Sequence, residues 1–216
     1  AFYKDCAARY SRKSTAGHAD RFMRWIAAAF LLLPLAAGGD PAPEAASPSA
    51  AVRTLFEQEW DRTLAEDPVW ASQLGDPRFN DRWPDASWAA IEASHRADQA
   101  ALARLLAIDR EALLPEEQLN RDLYERELRD RIGAHRFEPR VYALDMREGI
   151  QFAHELAERL HFRRPRDWRD WLARLESFGV YMDQTLALLA RGASEGRTQP
   201  RVIMERVPAQ VRRQLV

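Results

Sequence analysis

Val52, Leu55, Phe56, Trp60 and Leu64 recur three and four residues apart, with Glu57, Glu59, Asp61 and Arg62 between them. That period predicts an amphipathic helix with one apolar face. Pro68 ends it and opens a short helix to Leu74, because a first helical turn does not need the N–H that proline lacks. Gly75 stops that helix. Asp85 or Ser87 caps a long helix through Ile91, Leu102, Leu105, Leu106 and Ile108. Pro115 opens another, with Glu116 and Glu117 in its positive first turn, running through Leu119, Leu123, Leu128 and Ile132 until Gly133. Helix resumes over Ile150 to Leu160. After Pro165 comes the longest apolar series: Trp168, Trp171, Leu172, Leu175, Phe178, Tyr181, Met182, Leu186 and Leu189, closed by Gly192 and Gly196. A last helix covers Thr198 to Leu215, with a bend expected at Pro208. Strand-type alternation is nearly absent and no repeat period is visible. The predicted class is all-α: an irregular multi-helix array with long amphipathic helices, expected to be the N-terminal portion of a larger helical protein. The pattern of "RVPAQVRRQLV" is still running at Val216, and its apolar face needs further protein to cover it.

Two stretches break the helical pattern. "EDPVWASQLGDPRFNDRWPD", Glu66 to Asp85, combines helix-breaking Pro68, Gly75, Pro77 and Pro84 with Trp70, Phe79 and Trp83. A linker would not carry those aromatics, so an ordered corner is expected. Trp60, Trp70 and Trp83 should cluster to pin it, Gly75 should take a conformation that a Cβ disfavours, and Asp81 or Asp85 should accept backbone N–H groups. "HRFEPRVYALDMREG", His135 to Gly149, is the second irregular region.

Composition changes the picture at the N-terminus. Lys4, Lys13 and Cys6 all precede Met23, and every later basic residue is Arg or His. Residues 1–22 therefore read as an unrelated upstream segment, translated upstream sequence or a cloning remnant, the alternative being a genuine N-terminal extension. "MRWIAAAFLLLPLAAGGD" has the parts of an export signal over 23–38: Arg24, an apolar stretch Trp25–Leu35, then Ala36, Ala37, Gly38 and Gly39. The alternative is an uncleaved anchor or a buried helix. "LAAG" places Gly38 where a lipoprotein signal has cysteine, so no lipid anchor is available. Residues 39–51 read as a Pro/Ala-rich disordered tether, and 52–216 as the helical body. The expected location is periplasmic or secreted, with membrane contact only through the signal. A net charge of −1 supplies no basic excess for phosphates and argues against a nucleic-acid partner.

Candidate chemistry is sparse. In "HELAERLH", His154 is followed by Glu155, but Glu158 stands where a helical zinc motif needs its second histidine. His154, Glu158 and His161 share one face if the helix is continuous, which would allow a His/Glu/His site; a polar surface is the simpler reading. Asp76, Asp81 and Asp85 suit acid–base work or turn capping. No glycine-rich phosphate loop or nucleophile elbow occurs, and Ser47, Ser49, Ser72 and Ser87 have no evident base partner. "RRPRDWRDW" reads as a helix start. The residues themselves nominate no catalytic or cofactor-binding group.

Three segments resemble the bacterial domain-of-unknown-function 885 family over roughly residues 52–216. In the first, Trp60, Pro68, Ala71, Gly75, Asp81 and Asp85 fall on the family pattern; in "YALDMREGIQ", Gly149, Ile150 and Gln151 do; in the third, Arg174, Leu175, Gly192, Gly196 and Pro200 do. Asp145 stands where the family often has another residue. The resemblance implies a largely helical, longer protein that looks like a zinc-dependent peptidase. The family's metal motif has no counterpart here. Zinc and a peptide substrate are therefore expected of a parent protein whose C-terminal half is the partner of these residues, and this part alone is expected to be inactive. Asn80, Asp81 and Asp85 would face a cleft or simply cap the turn. The competing reading is a self-sufficient periplasmic helical binding module without catalysis.

Overall fold

The computed structural model describes residues 47–213 apart from 146 and 148. The upstream segment, the export signal and the start of the tether lie outside the described residues. Those described are helical and contain no strand.

Helix α1, Pro48–Glu66, starts inside the stretch read as tether. Proline suits a first turn, and the Ser49 hydroxyl donates to Glu117 at 2.6 Å, which ties this end down. After α2, Pro68–Gln73, and a single 3₁₀ turn, Pro77–Phe79, the chain enters α3, Trp88–Leu106, and α4, Pro115–His135. Ser87 caps α3, accepting the N–H of Ala90 at 3.2 Å. Glu117 accepts the N–H of Leu114 at 3.2 Å and closes the first turn of α4. Helix α4 continues two residues past Gly133. Trp88 lies against His135, and Asp98 against Arg131, so α3 and α4 run antiparallel.

Val52 and Leu55 of α1, Ala101 and Leu105 of α3, Leu113 of the loop and Leu128 of α4 form the core where these three helices meet. Each buried leucine contributes about 1.5–3 kcal/mol. Phe56 meets Tyr124 edge to face at 5.4 Å beside them. The same interface buries an ionic network. Arg62 binds Glu59 at 2.7 Å and Asp98 at 2.6 Å, Arg131 binds Asp98 at 3.0 Å, and the Tyr124 hydroxyl donates to Glu59 at 3.2 Å. Burial pulls the Arg62 guanidinium down, but its bonds to Glu59, Asp98 and Glu66 outweigh that and raise it. Burial, then the Glu59 charge, pushes the Tyr124 hydroxyl up.

The helix expected over 150–160 is interrupted. Gly149, at φ +132, starts a 3₁₀ turn, Ile150–Phe152, and α5 spans only Glu155–Arg159. Gln151 is buried and its amide donates to the Asp145 carbonyl at 2.6 Å, which holds the turn in place of a helical start. Helices α6, Pro165–Glu176, and α7, Phe178–Ser194, follow. The last expected helix is two short ones, α8, Arg201–Met204, and α9, Val207–Arg212. Pro208 has no N–H to give Met204, and its ring crowds that carbonyl, so the break comes ahead of the proline.

Candidate functional site

The corner between α2 and α3 is closed by a Schellman arrangement: Asp76 N–H donates to the Ala71 carbonyl at 2.9 Å and Gly75 N–H to Ser72 at 3.0 Å. Gly75 sits at φ +83, which a Cβ disfavours, as expected from its place at a helix end. Asp76 is buried, accepts the Arg78 N–H at 3.0 Å and pairs with the Arg78 guanidinium at 2.8 Å; Arg78 reaches on to Asp61 of α1 at 2.9 Å.

Beneath this corner lies Arg174, from the last turn of α6, with no exposed surface. Its Nη2 donates to the Phe79 carbonyl at 2.7 Å, the Ser72 hydroxyl at 2.9 Å and the Pro68 carbonyl at 3.3 Å. Its guanidinium carbon stands 5.5 Å from the centre of the Trp83 ring. Trp83 returns the contact, donating its indole N–H to the Arg174 carbonyl at 2.8 Å. Nε and Nη1 of Arg174 have no hydrogen-bond partner among the described residues. Burial pulls the guanidinium down to about 10, against the opposing charges of Asp81 and Asp67. It therefore remains a cation at neutral pH with no carboxylate in contact.

The residues singled out at this corner take distinct positions. Asn80 meets the Ser72 hydroxyl at 2.6 Å. That hydroxyl also points to the Pro68 carbonyl at 2.8 Å, and with one proton it serves one acceptor at a time. Asp81 is half exposed and pairs with Arg82 at 2.7 Å. The Arg82 guanidinium holds its carboxyl below the usual range, with a smaller pull from Arg174. Asp85 accepts the Ser87 N–H at 2.9 Å and the Gln184 amide at 2.9 Å, while Gln184 accepts the Ala86 N–H at 2.9 Å. The Ser87 N–H keeps the Asp85 carboxyl low. Asp85 is thus the turn acceptor and a tie to α7, whereas Asp81 answers to a neighbouring side chain.

The three tryptophans do not form one cluster. Trp60 and Trp70 meet edge to face at 5.3 Å, but Trp83 stacks on Tyr181 at 5.5 Å and tilts against Phe178 at 5.2 Å. The indole bond to Arg174 draws it to the α6–α7 side.

His154, at the N-terminal end of α5, and Glu158 on it are exposed. That helix ends at Arg159 and Leu160 is extended (ψ 147), so His161 lies beyond the helix that would have put the three on one face. Among the described residues no group of three His, Cys, Asp or Glu is placed to hold a metal. Among the same residues no helix is long and apolar enough to cross a membrane. Two polar clusters escaped sequence reasoning. One is the buried Glu59–Arg62–Asp98–Arg131 network. The other is a face-to-face pair, His95 on α3 and His135 on α4, with ring centres 3.7 Å apart and Nε2 of His135 3.2 Å from Glu92. The two histidines are forty positions apart, and no local spacing marks such a pair.

The second resembling segment also proves to be a joint. A Cβ on Gly149 would come within 2.5 Å of the Gln151 side-chain oxygen and Leu144 Cδ2, both side-chain tips that would have to shift, and the φ of +132 is the stronger reason for glycine there.

The arrangement joins α2, the corner, α6 and α7 through one buried cation, and it presents Asn80 and Asp81 at the surface above that cation. No curated protein and no solved structure matches the chain. A family described as bacterial protein of unknown function (DUF885) matches residues 68–216, more than half of the sequence, and the chain belongs to that family.

Proposed function

We propose that these residues are the helical N-terminal part of an exported, peptidase-type hydrolase, and that they serve it as a scaffold. The observation that carries the reading is the Arg174 joint. Pro68 and Arg174 belong to two of the segments that carry the family resemblance, and a buried hydrogen bond joins them. Such a joint holds the Asn80–Asp81 rim in fixed geometry, which suits the wall of a substrate cleft completed by further chain. The peptide substrate and the zinc belong to the resemblance, and in this reading the metal ligands come from the C-terminal half of the parent. Export rests on the Met23 signal.

Peptide hydrolysis and bound zinc are measured on the 216-residue chain and on the product of the reading frame continued past Val216. Turnover with stoichiometric zinc in the longer product, and neither in the shorter, is the expected result. Turnover with stoichiometric zinc by the 216-residue chain sinks the proposal. A stop codon directly after Val216 favours the self-sufficient binding module instead.

A further inference from the structure

Helix α6 packs with its polar side inward. Arg174 has no exposed surface, and the side chains of Asp167 and Asp170 are 12% and 19% exposed. Asp167 faces in because it closes the first turn, accepting the N–H groups of Arg164 at 2.9 Å and Arg163 at 3.0 Å. The apolar stripe is left outside. Trp168 and Leu172 are each 56% exposed and Leu175 is 46% exposed. Their spacing of four and three residues is that of one narrow seam along a helix, the pattern that receives another helix. Phe162 stacks on Trp168 at 4.3 Å and extends the seam beyond the N-terminal end of α6.

Charge is gathered at that end and along one flank. Arg163, Arg164, Arg166 and Arg169 are all exposed. Arg164 and Arg166 lean on the inward-turned Asp167 and Asp170, at 3.5 and 3.3 Å. Arg163 and Arg169 have no ion-pair partner among the described residues. We propose that the outer face of α6 is a docking seam for an acidic amphipathic helix, one whose leucine-type stripe lies on Trp168, Leu172 and Leu175 and whose carboxylates meet Arg163 and Arg169. A second copy of this chain is less complementary, since its α6 region exposes Arg163, Arg164, Arg166 and Arg169 against the single exposed carboxylate of Glu176. The inference is independent of the peptidase reading, because it concerns what covers α6 and not what chemistry follows.

The test uses the 216-residue chain and two synthetic helical peptides with the same leucine stripe, one flanked by glutamate and one by lysine, followed by fluorescence anisotropy. The glutamate peptide is expected to bind at least about tenfold tighter than the lysine peptide, with an advantage that shrinks at high salt. Leu172→Glu should weaken its binding by about tenfold or more, because a leucine-sized contact is lost to a charge. Arg169→Glu should erase the preference between the peptides. Both positions are exposed, so circular dichroism and the melting curve stay as in the wild type. Absence of peptide binding, equal binding of the two peptides, or binding that Leu172→Glu leaves intact overturns the proposal. So does self-association abolished by Leu172→Glu in sedimentation equilibrium, or binding to phosphatidylglycerol vesicles in place of the peptide.

Discussion

Replacing Arg174 with methionine should cost the fold little, although the residue is fully buried and makes three hydrogen bonds. On the debit side, the Phe79 carbonyl loses its 2.7 Å donor, and an orphaned, partly buried acceptor costs about 1–3 kcal/mol. The contact with the Trp83 ring adds about 1 kcal/mol. The Pro68 carbonyl retains the Ser72 hydroxyl at 2.8 Å and is not orphaned. On the other side, the fall of the guanidinium to about 10 measures what its charge costs inside the fold. At about 1.4 kcal/mol for each tenfold, that is roughly 3 kcal/mol, relieved when the cation goes. The two sides nearly cancel, and methionine fills most of the space with a flexible apolar chain. Arg174→Ala removes the same charge but leaves a cavity, and should fall several kcal/mol below Arg174→Met, about 2–5 by analogy with buried truncations.

Urea unfolding of the wild type and both variants measures this, and pH supplies an independent check. A cation whose folded pKa is depressed is disfavoured by folding wherever it is charged. The unfolded chain then holds more protons above about pH 10, so wild-type stability gains as pH rises through that value. The hydroxyls of Tyr124 and Tyr181, both raised in the fold chiefly by burial, act in the opposite direction at the same alkaline pH. Taking wild type minus Arg174→Met cancels them, and that difference should rise from about pH 8 to about pH 11. A methionine variant destabilised by more than about 4 kcal/mol, together with a flat difference over that range, refutes the desolvation argument.

Asp98→Ala removes the carboxylate that Arg62 and Arg131 share, while Arg62 keeps Glu59 and Glu66 and Arg131 keeps Glu127, and should cost about 1–3 kcal/mol in the same urea assay; a loss near zero would mean that the network is hydrated and loose. Gly149→Ala meets both a disfavoured φ and contacts at 2.5 Å, and should lower stability by about 2–4 kcal/mol and open the 145–152 turn to limited proteolysis. Asp85, depressed in the fold chiefly by the Ser87 N–H, contributes stability above its unfolded value that is lost as pH falls through the folded one. Asp85→Ala should therefore flatten the acid limb of the melting-temperature profile below about pH 4, and an unchanged limb would show that the capping bond carries no weight.

The three long helices α1, α3 and α4 were legible because their apolar residues keep a helical period and Ser87 and Pro115 mark two of their starts, whereas Gly133 did not end α4 and α1 began inside the stretch read as tether. The corner was legible as ordered, down to the turn of Gly75 and the capping by Asp85 and Ser87. What periodicity does not convey is which face of a helix meets the body. Trp168, Leu172 and Leu175 share a face in sequence, and nothing in the pattern shows that Asp167, closing a turn, rotates that face outward. Arg174 did leave a signal. It lies three residues after Trp171 and four before Phe178, on one helical side with two large aromatics, where a solvated arginine is out of place. The break of 150–160 goes with the positive φ of Gly149 and with the Gln151 amide turned back to the Asp145 carbonyl, a bond that no hydrophobic period encodes.

Four of the residues that carry the family resemblance hold backbone in place, while Asp81 and Leu175 do not. Gly75 closes a helix, Gly149 turns the chain ahead of Gln151, Pro68 offers a carbonyl and Arg174 donates to three acceptors. A pattern made of such residues specifies a scaffold. Arg174 fits that description least comfortably, because an apolar residue could fill its site at similar stability while the joint keeps a charge that folding disfavours. Its pull on the half-exposed Asp81 is small beside the bond from Arg82, which is what chiefly holds that carboxyl low. What the guanidinium does that an apolar side chain cannot is hold the Pro68 and Phe79 carbonyls and the Ser72 hydroxyl from one point, so the Asn80–Asp81 edge is fixed in place, whereas His154 and His161 lie exposed on either side of a five-residue helix with no bond among the described residues to fix their separation.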